Sequence, residues 1–138
     1  MPHVLLLGLD PLSPPPGASV PPHVLASIAE KIAIDIARAA RSGFFITSHY
    51  LDWRSPSTAF AALEKTLVDG PSAEGAEGWD AVMIGQGLRM WKDPELFEGA
   101  VGVLRRVCEP ARVKVLFNDG ADRQCATLER GFGVKMGE

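Results

Sequence analysis

Two short apolar runs constrain the fold of this chain more than any other feature. Val4–Leu9 (VLLLGL) is apolar without alternation and is followed by Asp10-Pro11. In Trp79–Arg89 (WDAVMIGQGLR), a second apolar run ends in two glycines and an arginine. A strand with one face in water alternates polar and apolar residues, whereas a strand buried on both faces is apolar throughout. Both runs are therefore predicted to be buried strands of a parallel sheet.

The rest of the chain alternates between helix and strand patterns. The first helix is predicted to end at Ser42-Gly43 and to begin either just after Pro22 or at Ser27, where a capping box fits. Two further strands are predicted, in Phe44–Asp52 and at Val113–Phe117. Three further helices are predicted: one from Ser55-Pro56 to Asp69-Gly70, one capped by Asp93-Pro94, and one capped by Asp122 that runs to about Arg130. The tail at 131–138 is predicted to be frayed.

This order of four strand–helix pairs is typical of a three-layer α/β/α sandwich around a four-stranded parallel sheet. The second strand mixes polar and apolar residues on both faces, which suits an edge position. The predicted strand order is therefore 2-1-3-4, as in a flavodoxin-like or half-Rossmann sheet without a fifth strand. A single α/β domain over residues 1–138 is expected from the length.

Composition narrows the function classes. A net charge of −3 without a basic cluster argues against nucleic-acid binding, and no apolar run approaches the length of a membrane helix. Cys108 and Cys125 lack the spacing of metal ligands, so no metal site is predicted. We expect a cytoplasmic protein that does not act on a membrane.

Open parallel sheets bind ligands beyond the carboxyl ends of their strands, where the strand order reverses. In this chain that point lies between the first and third strands. Gly85, Gln86 and Gly87 are predicted to hold an anion through their backbone N–H groups, because glycine permits positive φ and a close approach of the backbone. Arg89 would clamp a carboxylate or phosphate with two hydrogen bonds. The alternative is that the glycines only relieve crowding and that Arg89 is solvated or ion-paired.

Other residues are expected at the same edge of the sheet. Asp10 is a candidate acid or base, or simply the end of a strand, and Asn118 is a candidate polar orienting group. Trp91 and His23 are candidate ligand-binding residues. Cys125 near the start of the last helix fits either a nucleophile or a small buried side chain.

The proline-rich segment 11–22 has two interpretations. Five prolines in Leu12–Pro22 exclude a helix and stiffen the chain. The segment is either a plain surface loop or a semi-rigid flap over the carboxyl edge of the sheet.

No nucleotide cofactor is expected. The first strand is followed by Gly8-Leu9-Asp10-Pro11 rather than by G-x-G-x-x-G, and no Walker A pattern occurs. The segment that would have to be a Ser/Thr-rich phosphate loop in a flavodoxin is proline-rich. The third strand ends in Gly85-Gln86 instead of the aspartate of a response regulator.

The chain resembles a family of small stand-alone Rossmann-like proteins with no established activity. The matching patches are Leu7-Gly8-Leu9-Asp10-Pro11, Ala29-Glu30-Lys31-Ile32, Asp80–Arg89 (DAVMIGQGLR), and Phe117-Asn118 with Asp122, Ala126 and Arg130. The resemblance implies the fold and the location of the site, and it implies no reaction.

The resulting functional hypothesis is an enzyme that acts on a small anionic organic molecule without a nucleotide cofactor. The alternative is a non-catalytic module that binds a ligand or another protein through the same loops. The sequence also allows a homodimer, formed through the second-strand edge or through the helix that carries Ile34 on its outer face.

Overall fold

The computed structural model describes residues 2–12, 20–72, 76–91, 93–109 and 112–137. Its strands are β1 (His3–Gly8), β2 (Phe45–Tyr50), β3 (Ala81–Ile84) and β4 (Lys114–Phe117), all parallel and in the order β2-β1-β3-β4. The predicted four-stranded parallel sheet and its 2-1-3-4 order are confirmed.

The two central strands are buried on both faces, as their composition indicates. In β1, Leu5 and Leu7 contribute to one core layer, while Val4 and Leu6 contribute to the other. All four residues of β3 are fully buried and divide between the layers in the same way. Because side chains alternate along a strand, continuous apolar sequence supplies both layers at once.

The helices are α1 (Pro22–Arg41), α2 (Pro56–Asp69), α3 (Gln86–Arg89), α4 (Pro94–Val107) and α5 (Gln124–Phe132). The layer of α2 and α4 includes Leu63, Leu67, Leu96 and Val103. The opposite layer of α1 and α5 includes Ala39, Cys125 and Leu128. None of the helices in the described part of the chain is both long enough and apolar enough to span a membrane.

Three helices begin at a proline. The first helix begins at Pro22 rather than at Ser27, and α2 and α4 begin at Pro56 and Pro94, in agreement with the missing N–H of proline at a first helical position. The predicted cap at Asp122 is wrong, since Arg123 precedes the first residue of α5.

The predicted fraying of the C-terminal segment is also wrong for its described residues, 131–137. The last helix extends to Phe132, and Met136 and Gly137 after it are hydrogen-bonded to the rest of the chain. The Met136 N–H donates to Glu129 Oε2 at 2.9 Å, and Arg38 Nε donates to the Gly137 carbonyl at 3.0 Å. Met136 also packs against the α1–α5 layer, so apolar contact holds the segment in place.

A buried carboxylate joins the two helices of that layer. Asp35 of α1 is only 6% exposed, and its Oδ2 accepts the backbone N–H of Cys125 at 2.9 Å. That N–H belongs to the first turn of α5, where backbone donors lack partners within the helix. A residue 90 positions earlier in the chain thus caps the last helix.

We predict that Asp35→Ala lowers the free energy of unfolding by about 1–3 kcal/mol, because it leaves a buried N–H without an acceptor. Asp35→Asn, which keeps an acceptor oxygen, should lose less. The control is Asp52→Ala, which removes an exposed carboxylate that accepts the Arg54 N–H and should change stability by less than about 0.5 kcal/mol. Equal losses for the two alanine variants in urea unfolding would contradict this role of Asp35.

Candidate functional site

A cavity of about 470 Å³ lies at the carboxyl edge of the sheet, on the side of α1 and α5. It collects residues that follow β1, β3 and β4, and therefore includes the predicted switch point. The described lining residues are Leu6, Gly8, Leu9, Asp10, Pro11, Leu25, Ile28, Ile32, Tyr50, Gly85, Gln86, Gly87, Trp91, Asn118, Gly120, Ala121 and Gln124. Of the predicted site residues, the structure brings together Asp10, Gly85, Gln86, Gly87, Trp91 and Asn118.

One wall of the cavity is the amphipathic helix α1. Leu25, Ile28 and Ile32 line the cavity, and Ile32 and Ile36 of the same stripe pack against the core layer below. Apolar residues at this helical spacing share one face. This apolar stripe therefore contributes to the core at one end and to the cavity at the other.

The glycine stretch after β3 forms a short helix, where the sequence interpretation had a loop. Gly85 precedes α3 with φ −70°, and neither it nor Gly87 is among the glycines with positive φ. Neither glycine therefore uses the positive φ that the residue type permits. The close approach of the backbone is present at Gly85, where a Cβ would lie 3.3 Å from the Leu7 carbonyl oxygen. Gly87 has open space around it.

Arg89 points toward the end of β4 and is not among the residues that line the cavity. Its Nη2 donates to the Asn118 carbonyl at 2.9 Å, and its guanidinium lies 5.3 Å from the centre of the Phe117 ring. Its Nε is buried without a hydrogen-bond partner among the described residues. Arg89 therefore forms a hydrogen bond that holds the end of β4 in place.

His23 is exposed in the first turn of α1 and does not line the cavity. Asp10 lines it, and Asp10 Oδ1 accepts the Leu12 N–H at 2.9 Å in an exposed turn. The same carboxylate therefore closes the turn after β1 and lines the cavity, and its role as an acid or base stays a prediction. Residues 13–19 of the predicted flap lie outside the described part of the chain.

Asn118 is the polar group at the end of β4. It is 3% exposed, its N–H continues the ladder to the Ile84 carbonyl, and its Oδ1 accepts the Thr127 hydroxyl at 3.3 Å. Its amide nitrogen, the other polar end of the side chain, can donate two hydrogen bonds.

Gln124 is a site residue that the sequence interpretation missed. It is the first residue of α5, is 1% exposed and lines the cavity. Its Oε1 is buried without a hydrogen-bond partner among the described residues. The sequence pattern that could have identified Gln124 is a polar residue next to the buried face of a helix that starts at the carboxyl edge of the sheet.

Cys125 is not arranged as a nucleophile. Burial, together with the neighbouring Asp35 carboxylate, raises the pKa of its thiol to about 11. A thiol with that pKa is protonated at neutral pH, and the thiolate is the reactive form. The structure thus favours the small buried side chain over the nucleophile.

Two further cavities adjoin described residues. One of about 170 Å³ shares Asp10 and Tyr50 with the main cavity and extends toward Trp53. The other, about 430 Å³, lies at the opposite edge of the sheet beside Trp79 and Cys108. That edge carries the amino ends of the strands, whereas sites in open parallel sheets occur at the carboxyl ends. The cavity beside Asp10 and Gly85 is therefore the candidate site.

Comparison with known proteins does not identify the chain. No protein-family model matches it, and no curated protein matches it either.

Proposed function

We propose that the chain binds a small, mostly apolar organic molecule in the cavity at the carboxyl edge of the sheet. The observation that supports the proposal most strongly is the composition of that cavity. Leu25, Ile28, Ile32 and Trp91 provide apolar walls, while a few polar groups converge beside them. A volume of about 470 Å³ lies within the range of small-molecule sites.

The charges at the cavity favour a neutral or N–H-rich ligand over an anion. Asp10 is the only formally charged side chain among the described lining residues, and it is acidic. Arg89, the expected anion clamp, binds the Asn118 carbonyl instead. An anion in the cavity would meet the Asp10 carboxylate, and no cationic side chain among the described lining residues would offset that repulsion.

The enzyme hypothesis therefore rests on Asp10 and stays a prediction. A carboxylate within reach of a bound ligand is a candidate base, and Asn118 offers N–H donors to orient a substrate. Binding alone requires only the cavity, and so it is the function with more support. Action on an anionic substrate, and a homodimer, also stay predictions.

Blocking the cavity should abolish binding without unfolding the protein. We predict that Ile28→Trp weakens the binding of indole at least about tenfold, because the larger side chain would occupy the space between α1 and β1. The measurement is an NMR titration that follows the amides of Gly8, Leu9 and Gly85, with circular dichroism as the check of folding.

The matched control is Ile34→Trp, a substitution on the exposed face of the same helix, where Ile34 is 60% exposed. It should leave indole affinity unchanged. The proposal fails if indole shifts no cavity amide in the unmodified protein, or if the two tryptophan variants weaken binding equally.

Arg89→Gln tests whether this arginine has a structural role or binds an anion. We predict a loss of about 1–3 kcal/mol in the free energy of unfolding, because a charge-assisted bond to the Asn118 carbonyl disappears. Arg130→Gln is the comparison, since Arg130 makes a bond of the same length to the Phe117 carbonyl but is exposed; it should lose less.

The second measurement is a titration of the unmodified protein and of Arg89→Gln with inorganic phosphate. We expect it to perturb no amide from Gly85 to Arg89 in the unmodified chain. Phosphate-induced shifts there that vanish in Arg89→Gln, together with unchanged stability of that variant, would favour the anionic-substrate hypothesis over our proposal.

A further inference from the structure

The side-chain amide of Gln124 is the most unusual polar group at the cavity. It is 1% exposed, and its Oε1 is buried without a hydrogen bond to any described residue. Buried polar groups in folded proteins nearly always have partners, because burial without one forfeits the hydrogen bonds made to water. Gln124 Oε1 is therefore a buried acceptor at the cavity that lacks a partner among the described residues.

Gln124 stands at a fixed position at the start of α5. As the first residue of α5, it lies before the residues whose side chains pack into the α1–α5 layer. The next residue, Cys125, is anchored through its backbone N–H to Asp35, which fixes the start of the helix. The helix start is thus held in place while the amide faces the cavity.

Asn118 supplies a second amide at the same cavity. The Thr127 hydroxyl occupies Asn118 Oδ1, so the nitrogen is the end that remains for a ligand. Gln124 offers an acceptor and two donors, and Asn118 offers donors. The two amides together match a ligand that carries an N–H donor beside a carbonyl acceptor.

We propose that Gln124 is a specificity-determining residue, an inference that rests on the proposed function. Its side-chain amide pairs with a neutral group of the ligand that has an N–H donor beside a carbonyl acceptor, as in a carboxamide or lactam. Gln124 Oε1 accepts the ligand N–H, and the ligand carbonyl accepts from the amide nitrogens of Gln124 and Asn118. A ligand that lacks the N–H leaves Gln124 Oε1 buried and unpaired. Binding sites discriminate most strongly against ligands that leave a buried polar group without its partner.

Three probes of nearly equal size test the proposal. Benzamide has both the donor and the acceptor, acetophenone replaces the amino group with methyl, and benzoate replaces it with a charged oxygen. We expect benzamide to bind about tenfold more tightly than either of the others in NMR titrations at millimolar concentrations. The amides of Gly8, Gly85 and Ala121 report occupation of the cavity.

Gln124→Met keeps the length of the side chain and removes both polar ends. We expect the preference for benzamide over acetophenone to fall below about twofold, and the Tm of the free protein to rise by roughly 3 °C, because an unpaired buried acceptor disappears. The control is Leu128→Met in the same helix, a volume-conserving change at a fully buried residue that does not line the cavity. It should preserve the preference.

The outcomes separate this inference from the proposed function. Equal binding of benzamide and acetophenone to the unmodified protein overturns the role of Gln124 and leaves the cavity as a binding site. A preference that persists in Gln124→Met does the same. Absence of binding by all three probes, and by indole, overturns both.

Discussion

The burial of β1 and β3 on both faces is the constraint on which the rest of the structure depends. Residues 4–7 of β1 and all four residues of β3 each contribute to one of two core layers, so helices must cover both sides of the sheet. Once both faces are covered, only the ends of the strands remain open to a ligand. The carboxyl ends then bring together backbone turns and side chains from segments far apart in sequence, which is where the cavity forms.

The same constraint explains how much of the molecule could be predicted from sequence. Continuous apolar runs indicate central strands, and the polar content of β2 indicates an edge, so the strand order followed. Asp10, Gly85 and Asn118 come together at the cavity because each lies within two residues of the end of a strand in a parallel sheet. That argument needs only the direction of each strand and not the orientation of any side chain.

Side-chain direction is what the sequence could not supply. Arg89 lies close to the switch point in sequence, yet the single turn of α3 directs it to the end of β4. Four residues are too few to give a helical period, so this turn is invisible to pattern reasoning. Gln124 was missed for a related reason, because a polar residue at a helix start is ordinary until its burial is known. Asp35 caps a helix 90 residues away, and such a contact has no local signature.

The length of α1 has a geometric consequence for the cavity. The helix has 20 residues and β1 has six, which correspond to roughly 30 Å and 20 Å at their usual rises per residue. The first turns of α1 carry Leu25 and Ile28, which line the cavity. The extra length of the helix thus supplies part of the cavity wall. Chains of this architecture would gain or lose such a wall by adding or removing helical turns before the core begins.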